Sequence, residues 1–530
     1  MVKKTGHNSI PRIGSGQMLT PAVSHYHALT GANGPAPCPF LLRKPLINMP
    51  AKTHYLRLFL LLITIHSNSR SIAEDSSTPQ PNFVIFVADD MAWDDSGPYG
   101  NTSVRTPNLD RLAAEGMRFD QAYLTCSSCS PSRCSMLTGR YPHNTGAGEL
   151  HLPLPENQRM VTTPLRSAGY WTAVVGKWHL GEAASKQVDF RKGSNPIQMG
   201  STWVSAIRER PKDKPFFLWA AHSDPHRGYS PGAVTPPHSP SQVKVPPYFP
   251  DTPLVRQDLA LYYDEVSRFD EHIGMVLDEL DRQSLTQSTM ILVISDNGRP
   301  FPHCKTMVTV PGVRTPFIAR LPRQIPAGSV NSQVISTLDI APTILDLAGI
   351  TLPESMQGMS LRATLHDATV PHRRYAYSEH NWHDYRAYER SIFDQRFCYL
   401  RNWLPNTPAT PPADAVKSVT YSEMKRLYDE GRLTPTQRAC LITPRAEEYL
   451  FDTQKDPHCL VNLATKPEMK GELERLRAAL TRWQEETNDA FPGEDELTPD
   501  GFDRETGDRM INSSHPDLVK PQKQRKPRKQ

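Results

Sequence analysis

The chain has 530 residues, with 60 Lys and Arg against 56 Asp and Glu and a net charge of +4; this exceeds what one hydrophobic core usually organises, so two folded domains with unstructured ends are expected. Six of the basic residues fall in the last eleven, leaving a near-neutral body of 54 basic against 56 acidic residues, and that balance argues against a nucleic-acid partner. Eight cysteines over this length exclude a disulfide scaffold.

From Met49, "MPAKTHYLR" leads into the apolar run "LFLLLITI" at positions 58–65. The run is too short to span a bilayer. With Lys52, His54 and Arg57 before it and Ser71 and Ala73 after it, it has the order of a secretory signal. Residues 1–48 are thus expected to be a gene-model extension without structure and residues 49–74 a signal peptide. The mature protein would be exported, periplasmic or secreted, or lysosomal or extracellular in a eukaryote, with no stable membrane insertion after cleavage. A buried strand at 58–65 is the competing reading.

The first strong element is "NFVIFVADD", a continuous apolar run that reads as a buried strand delivering Asp89 and Asp90 to its C-terminal edge. Three similar runs follow. "YWTAVVGKWHLG" ends in Lys177 and His179, "KPFFLWAAHSDPHR" in Asp224 and His226, and "TMILVISDNG" in Asp296 and Asn297. Four such strands predict an open α/β sheet with its ligand beyond the carboxyl ends. Residues 228–250 carry seven prolines and read as a loop near His226. Tyr262, Val266, Phe269, Ile273, Val276 and Leu280 recur at steps of three and four, which predicts a helix packed on the sheet. A second helix is expected at "STLDIAPTILDLAG", stopped by Gly349.

After about Pro371 the texture changes to short strands, a Pro-rich insert "LPNTPATPPAD" and a helix at "EMKGELERLRAALTRWQEE". The expected organisation is a catalytic domain over 80–370, an α+β domain over 371–493 and a disordered basic tail over 494–530. The tail is a solvated charge run, with grip on a polyanion the alternative. Cys440 and Cys459 are a conceivable bridge that spacing alone does not establish.

The stretch "CSSCSPSRCSMLTGR" at 126–140 carries the function. Cys126 and Cys129 match a redox or metal-binding pair, but no second ligand pair follows for zinc, and a thioredoxin-like motif leaves Cys134 unexplained. Cys129-Ser130-Pro131-Ser132-Arg133 followed by Thr138-Gly139-Arg140 resembles the signature of the type I sulfatases, and the resemblance extends over about residues 82–488. It implies an alkaline-phosphatase-like α/β fold, a large mixed sheet sandwiched by helices with a smaller C-terminal α+β domain. It also implies that Cys129 is converted to formylglycine by a formylglycine-generating or anaerobic sulfatase-maturating enzyme. The chemical logic stands independently: a sulfated serine would need a second displacement, whereas an aldehyde hydrate has a spare hydroxyl with which to expel sulfate. A helix starting at Pro131 and Ser132 favours an anion near Cys129, and Arg133, one turn in, can hold it.

By the same resemblance Asp89, Asp90, Asp296 and Asn297 bind one calcium ion together with residue 129, an oxygen donor set suited to a hard cation. Lys177 and His179 match the family's Gly-Lys-Trp-His motif, His226 its Pro-His, and Lys305 the basic residue after Asp-Asn-Gly. The implied roles are His226 as acid for the departing group, Lys177 and His179 as partners of the hydrate and sulfate, and Lys305 as a sulfate anchor. Within the family the chain leans toward the heparan N-sulfatase (sulfamidase) branch and its bacterial relatives, on "SSCSPSR", "DPHR", "SDNG" followed by "PFP", and "LFDTQKDPHCLVNLA". Lys305 replaces the arginine expected of animal sulfamidases, and "SEHNWHDYRAYER" is closer to bacterial relatives, so sugar identity, O- versus N-sulfate and a homodimer all stay open. His380, His383 and Arg390 are candidates for the sugar pocket, with ordinary packing the equal alternative. The expectation is a sulfatase acting on a sulfated carbohydrate. Phosphonate monoester or phosphodiester hydrolysis on the same fold, a non-catalytic glycan binder and a thiol redox protein are the rivals.

Overall fold

The computed structural model describes residues 80–510 and His515. The expected extension over 1–48, the signal over 49–74 and nearly all of the basic end lie outside the described residues. The larger sheet has eight strands: β1 (Asn82–Ala88), β2 (Met117–Tyr123), β3 (Trp171–Gly176), β4 (Phe190–Lys192), β5 (Phe216–Ala221), β6 (Thr289–Ser295), β7 (Ile318–Arg320) and β8 (Ser329–Ser336). Their order is β4-β3-β5-β1-β6-β7-β2-β8. β1 runs parallel to both β5 and β6, with Phe83 opposite Phe217 and Met290, and β3 runs parallel to β5. β7 is antiparallel to β6 and to β2, which makes the sheet mixed.

The four apolar runs singled out in the sequence are therefore adjacent and parallel, and all four end at one edge. Each is buried on both faces. Phe83, Ile85 and Val87 pack on one side with Met136, Leu137 and Ile344 of the helices Cys129–Thr138 and Ile340–Leu347. Val84 and Phe86 pack on the other with Trp203, Phe269, Ile273 and Val276 of the helices Met199–Glu209 and Pro253–Arg282. Side chains of this size contribute about 1.5–3 kcal/mol each when taken out of water. The long helix starts where its sequence dictates, with Pro253 at its first position and the Thr252 side chain accepting from Val255 N at 3.4 Å. Residues 228–250 contain no regular element.

The smaller sheet is antiparallel, with β9 (Ala376–His380), β10 (Glu389–Phe393), β11 (Phe397–Asn402) and β12 (Glu448–Asp452) in the order β12-β11-β10-β9. The helix Lys470–Thr487 covers it, and Trp483 stacks on Tyr377 at 4.8 Å.

One boundary expectation is corrected. Residues 494–510, expected to be disordered, are ordered: Trp382 Nε1 donates to Pro499 O at 2.8 Å, Gly501 N to Asp384 O at 2.8 Å and Arg386 N to Asp500 Oδ1 at 2.7 Å. Polar composition hid this segment because its carbonyls and carboxylates satisfy the loop 381–388 rather than water. The seven described cysteines are free thiols, Cys440 and Cys459 among them, and Cys459 has Cys398 as its hydrogen-bonding neighbour. No helix among the described residues is long and apolar enough to cross a membrane.

Candidate active site

Parallel pairing at the centre of the sheet brings the strand ends together. Asp89 and Asp90 follow β1, Lys177 and His179 follow β3, Asp224 and His226 follow β5, and Asp296 and Asn297 follow β6. Backbone bonds lock the edge, with Asp89 N donating to Asp224 O at 2.8 Å and Asp296 N to Ala88 O at 3.2 Å. The helix Cys129–Thr138 points its first residue at this edge. It begins at Cys129, two residues earlier than Pro131, and Ser132 N donates to Ser128 O at 2.9 Å.

Three carboxylates, each at most 1% exposed, share this space, an arrangement that demands compensating charge. Arg133, fully buried, donates from Nε to Asp296 Oδ2 at 2.8 Å and from Nη1 to the Lys177 carbonyl at 3.1 Å, and its Nη2 lies 2.8 Å from Asp296 and 3.7 Å from Asp89. Lys177 Nζ is 2.6 Å from both oxygens of Asp89, and Lys305 Nζ is 2.7 Å from Asp90 Oδ2. Asn297 Nδ2 donates to Asp90 Oδ1 at 2.6 Å, while its buried Oδ1 accepts no hydrogen bond. Cys129 Sγ stands 3.8 Å from Asp90 Oδ1. Donor atoms of Asp89, Cys129 and Asp296 lie within 4.8 Å of one another and could hold a metal ion.

The electrostatics follow from this packing. Burial works against ionisation of Asp89, yet Lys177, His226 and Arg133 together outweigh it and hold the carboxyl below its usual range. Burial likewise opposes the charge of Lys305, but Asp414 and Asp90 push its pKa well above the ordinary value. The Cys129 thiol is driven up by burial, offset only in part by Lys177 and Lys305, so as a thiol it is a poor nucleophile. Burial, helped by the nearby Lys177 charge, puts His179 well below its usual value and keeps it neutral.

The two histidines differ. His226, 32% exposed in its side chain, donates from Nδ1 to the Arg227 carbonyl at 2.6 Å; its Nε2 therefore faces the site, 3.8 Å from Asp90 and 3.6 Å from Asp414. His179 Nε2 pairs with His151 Nδ1 at 2.7 Å. Asp90, His151, His179 and Thr306 all have positive φ, at 76°, 68°, 63° and 75°; such strain clusters where surroundings over-determine the backbone, as around a reacting centre.

All the expected site residues, Asp89, Asp90, Cys129, Arg133, Lys177, His179, His226, Asp296, Asn297 and Lys305, thus gather around this edge. The pocket candidates divide. His383 Nδ1 lies 2.7 Å from Ser128 Oγ, beside residue 129, and His380 turns to Glu389 at 3.4 Å. Arg390 is excluded from a pocket: it is 1% exposed and its fork is closed on Asp489 at 2.6 and 2.7 Å. Cys126 is buried with Sγ on the Ser128 carbonyl at 3.7 Å, and burial raises its thiol, so nothing activates a Cys126–Cys129 couple. His151 and Asp414 escape sequence reasoning. His151 sits in an unremarked turn, and Asp414 ends the Pro-rich insert; no spacing signal marks either.

Known proteins can be set against this geometry. The family model described as Sulfatase matches residues 81–350, and that described as N-sulphoglucosamine sulphohydrolase, C-terminal, matches residues 303–406. The chain is 30% identical over 467 residues to human N-sulphoglucosamine sulphohydrolase, covering 79% of this chain and 92% of the relative. It is 31% identical over 457 residues to an ulvan-active sulfatase of Formosa agariphila, covering 76% of this chain and 74% of the relative. Among solved structures, one in complex with its substrate D-glucosamine-2-N,6-O-disulfate superimposes with a TM-score of 0.61 at 21% identity, covering 79% of this chain and 99% of that one. A 2-O glycosaminoglycan sulfatase gives 0.58 at 22%, covering 77% and 93%. The chain therefore belongs to the sulfatase family, sulfuric ester hydrolases on an alkaline-phosphatase-like fold.

Proposed function

We propose that this chain hydrolyses sulfate esters or sulfamates of a sulfated carbohydrate, a glycosaminoglycan or an algal polysaccharide, with formylglycine at position 129 and one calcium ion. The observation that carries this reading is the convergence of Cys129, at a helix start, on three buried carboxylates, Asn297 and the cations of Arg133, Lys177 and Lys305. The named relatives support the substrate class.

The residues suit calcium. Asp89, Asp90, Asp296 and Asn297 offer hard oxygen donors, and the unpartnered Asn297 Oδ1 needs a positive group that no neighbouring donor supplies. With residue 129 they would hold the ion, which supplies charge against the sulfate oxygens. Formylglycine as its hydrate supplies one hydroxyl to attack sulfur and a second from which the aldehyde re-forms. The helix Cys129–Thr138 presents its N-terminal amides to the anion. Lys177 and Lys305, both kept charged, anchor sulfate oxygens, and Arg133 holds residue 129 against Asp296. His226 Nε2 gives a proton to the departing oxygen or nitrogen, with its ring fixed by the Nδ1 bond to Arg227. Neutral His179, oriented by His151, accepts from the hydrate. Maturation requires a formylglycine-generating or anaerobic sulfatase-maturating enzyme, and export follows from the segment at 49–74.

The test is mass spectrometry of the peptide containing position 129 in natively expressed protein, paired with turnover of N-sulfoglucosamine, an aryl sulfate and a phosphate diester. Aldehyde in place of thiol with sulfate release is expected. An unmodified thiol in active protein removes the nucleophile, and a preference of orders of magnitude for the phosphate diester makes this a phosphohydrolase. Glycan binding without sulfate release from aldehyde-bearing protein makes it a binding protein.

A further inference from the structure

The Pro-rich insert over 404–414 ends in a carboxylate at the active site. Asp414 Oδ1 accepts from Ala415 N at 2.7 Å, which fixes the group. Its Oδ2 is buried and makes no hydrogen bond; it stands 3.6 Å from Lys305 Nζ and 3.6 Å from His226 Nε2. These two groups are the sulfate anchor and the proton donor for the leaving atom. Acidic oxygens of Asp90 and Asp414 and the nitrogen of His226 lie within 4.8 Å of one another, but the Lys305 ammonium already occupies the charge-compensating position between the two carboxylates.

A negative charge here opposes an incoming anion, and once Lys305 turns to the sulfate oxygens the Asp414 carboxylate needs a second positive partner during the reaction. Sulfate esters provide none, because ROSO3− and water give a neutral alcohol. Sulfamates do: R–NH–SO3− and H2O give R–NH3+ and SO4 2−, with the S–N bond broken, an S–O bond formed and both water protons ending on nitrogen. We propose that Asp414 is a specificity-determining residue for this reaction: Oδ2 accepts a hydrogen bond from the N–H of an N-sulfated amino sugar and pairs with the ammonium formed as the amine departs. This rests on the sulfatase reading above and names its substrate class.

The test compares wild type with Asp414→Asn, both verified to carry the aldehyde at 129, on N-sulfoglucosamine and glucosamine 6-O-sulfate. A hydrogen bond to a charged group is worth about 1.5–3 kcal/mol, so the ratio of kcat/KM for the N-sulfate over the O-sulfate should fall by about 10- to 100-fold. Inhibition by glucosamine should weaken about tenfold more than inhibition by glucose, a readout independent of turnover. An unchanged ratio overturns the proposal, whether both rates fall or neither does. Wild type that cleaves only O-sulfates also overturns it and leaves the sulfatase reading standing. No release from any sulfated substrate removes that reading and this one together.

Discussion

Replacing Arg133 by alanine deletes the cation that spans the floor of the site. Its guanidinium is fully buried, places two nitrogens 2.8 Å from Asp296 Oδ2 and a third 3.1 Å from the Lys177 carbonyl, and approaches Asp89 at 3.7 Å. Deleting one partner of a buried pair costs about 3–5 kcal/mol, because the other charge stays in the interior uncompensated. Arg133→Lys keeps the charge but has one nitrogen for three acceptors, so an intermediate loss of about 1–3 kcal/mol follows from the acceptors left unmade. Urea unfolding of metal-free protein, followed by tryptophan fluorescence, gives both numbers, and sulfate release from N-sulfoglucosamine gives the functional loss. Two results refute the reasoning: Arg133→Ala losing less than about 1 kcal/mol, or Arg133→Lys losing as much as Arg133→Ala. Either means that packing, not charge, is what Arg133 contributes.

Gly176, with φ 103° at the end of β3, has no room for a side chain, since a Cβ there would sit 1.8 Å from the Ala221 carbonyl. Gly176→Ala should destabilise by about 2–4 kcal/mol and displace Lys177, whereas Gly169→Ala, at φ 91° with open space around it, should cost only about 1–2 kcal/mol of backbone strain. Equal Tm shifts would exclude the clash. Burial raises the pKa of Glu389, but Arg445 and His380 outweigh it and bring it from 4.5 to about 2. Being depressed on folding, it adds stability above pH 4.5 that is lost as the pH falls through about 2, up to about 3 kcal/mol. Glu389→Gln should flatten the acid limb of the stability curve between these values, and an unchanged limb would show that the ion pair is not what loses stability there. Chelation should abolish sulfate release and calcium restore it, with magnesium weaker because it demands octahedral geometry and keeps its waters. Full activity in chelator would exclude the metal.

Much of this molecule is legible in its sequence because the signals are local. Strand β1 is a run of seven buried residues, and only an element covered on both faces tolerates such a run. The long helix repeats at 3.6 residues and opens on Thr252 and Pro253. Within the Cys129 motif, and within each group of polar residues ending a strand, the residues lie a few positions apart along the chain. Tertiary structure decided the rest, since pairing across the sheet is not written in local spacing. Only the order β3-β5-β1-β6 puts Lys177, His226, Asp89 and Asp296 at one edge. Only packing set Arg390 against Asp489 instead of a sugar, ordered 494–510 against the loop at 381–388, and brought Asp414 from a proline-rich stretch to within 3.6 Å of Lys305 and His226. The physical reason is range: propensity, capping and amphipathic period act over a few residues. Compensation of a buried charge is instead satisfied by whatever partner the fold brings near, however distant in the chain.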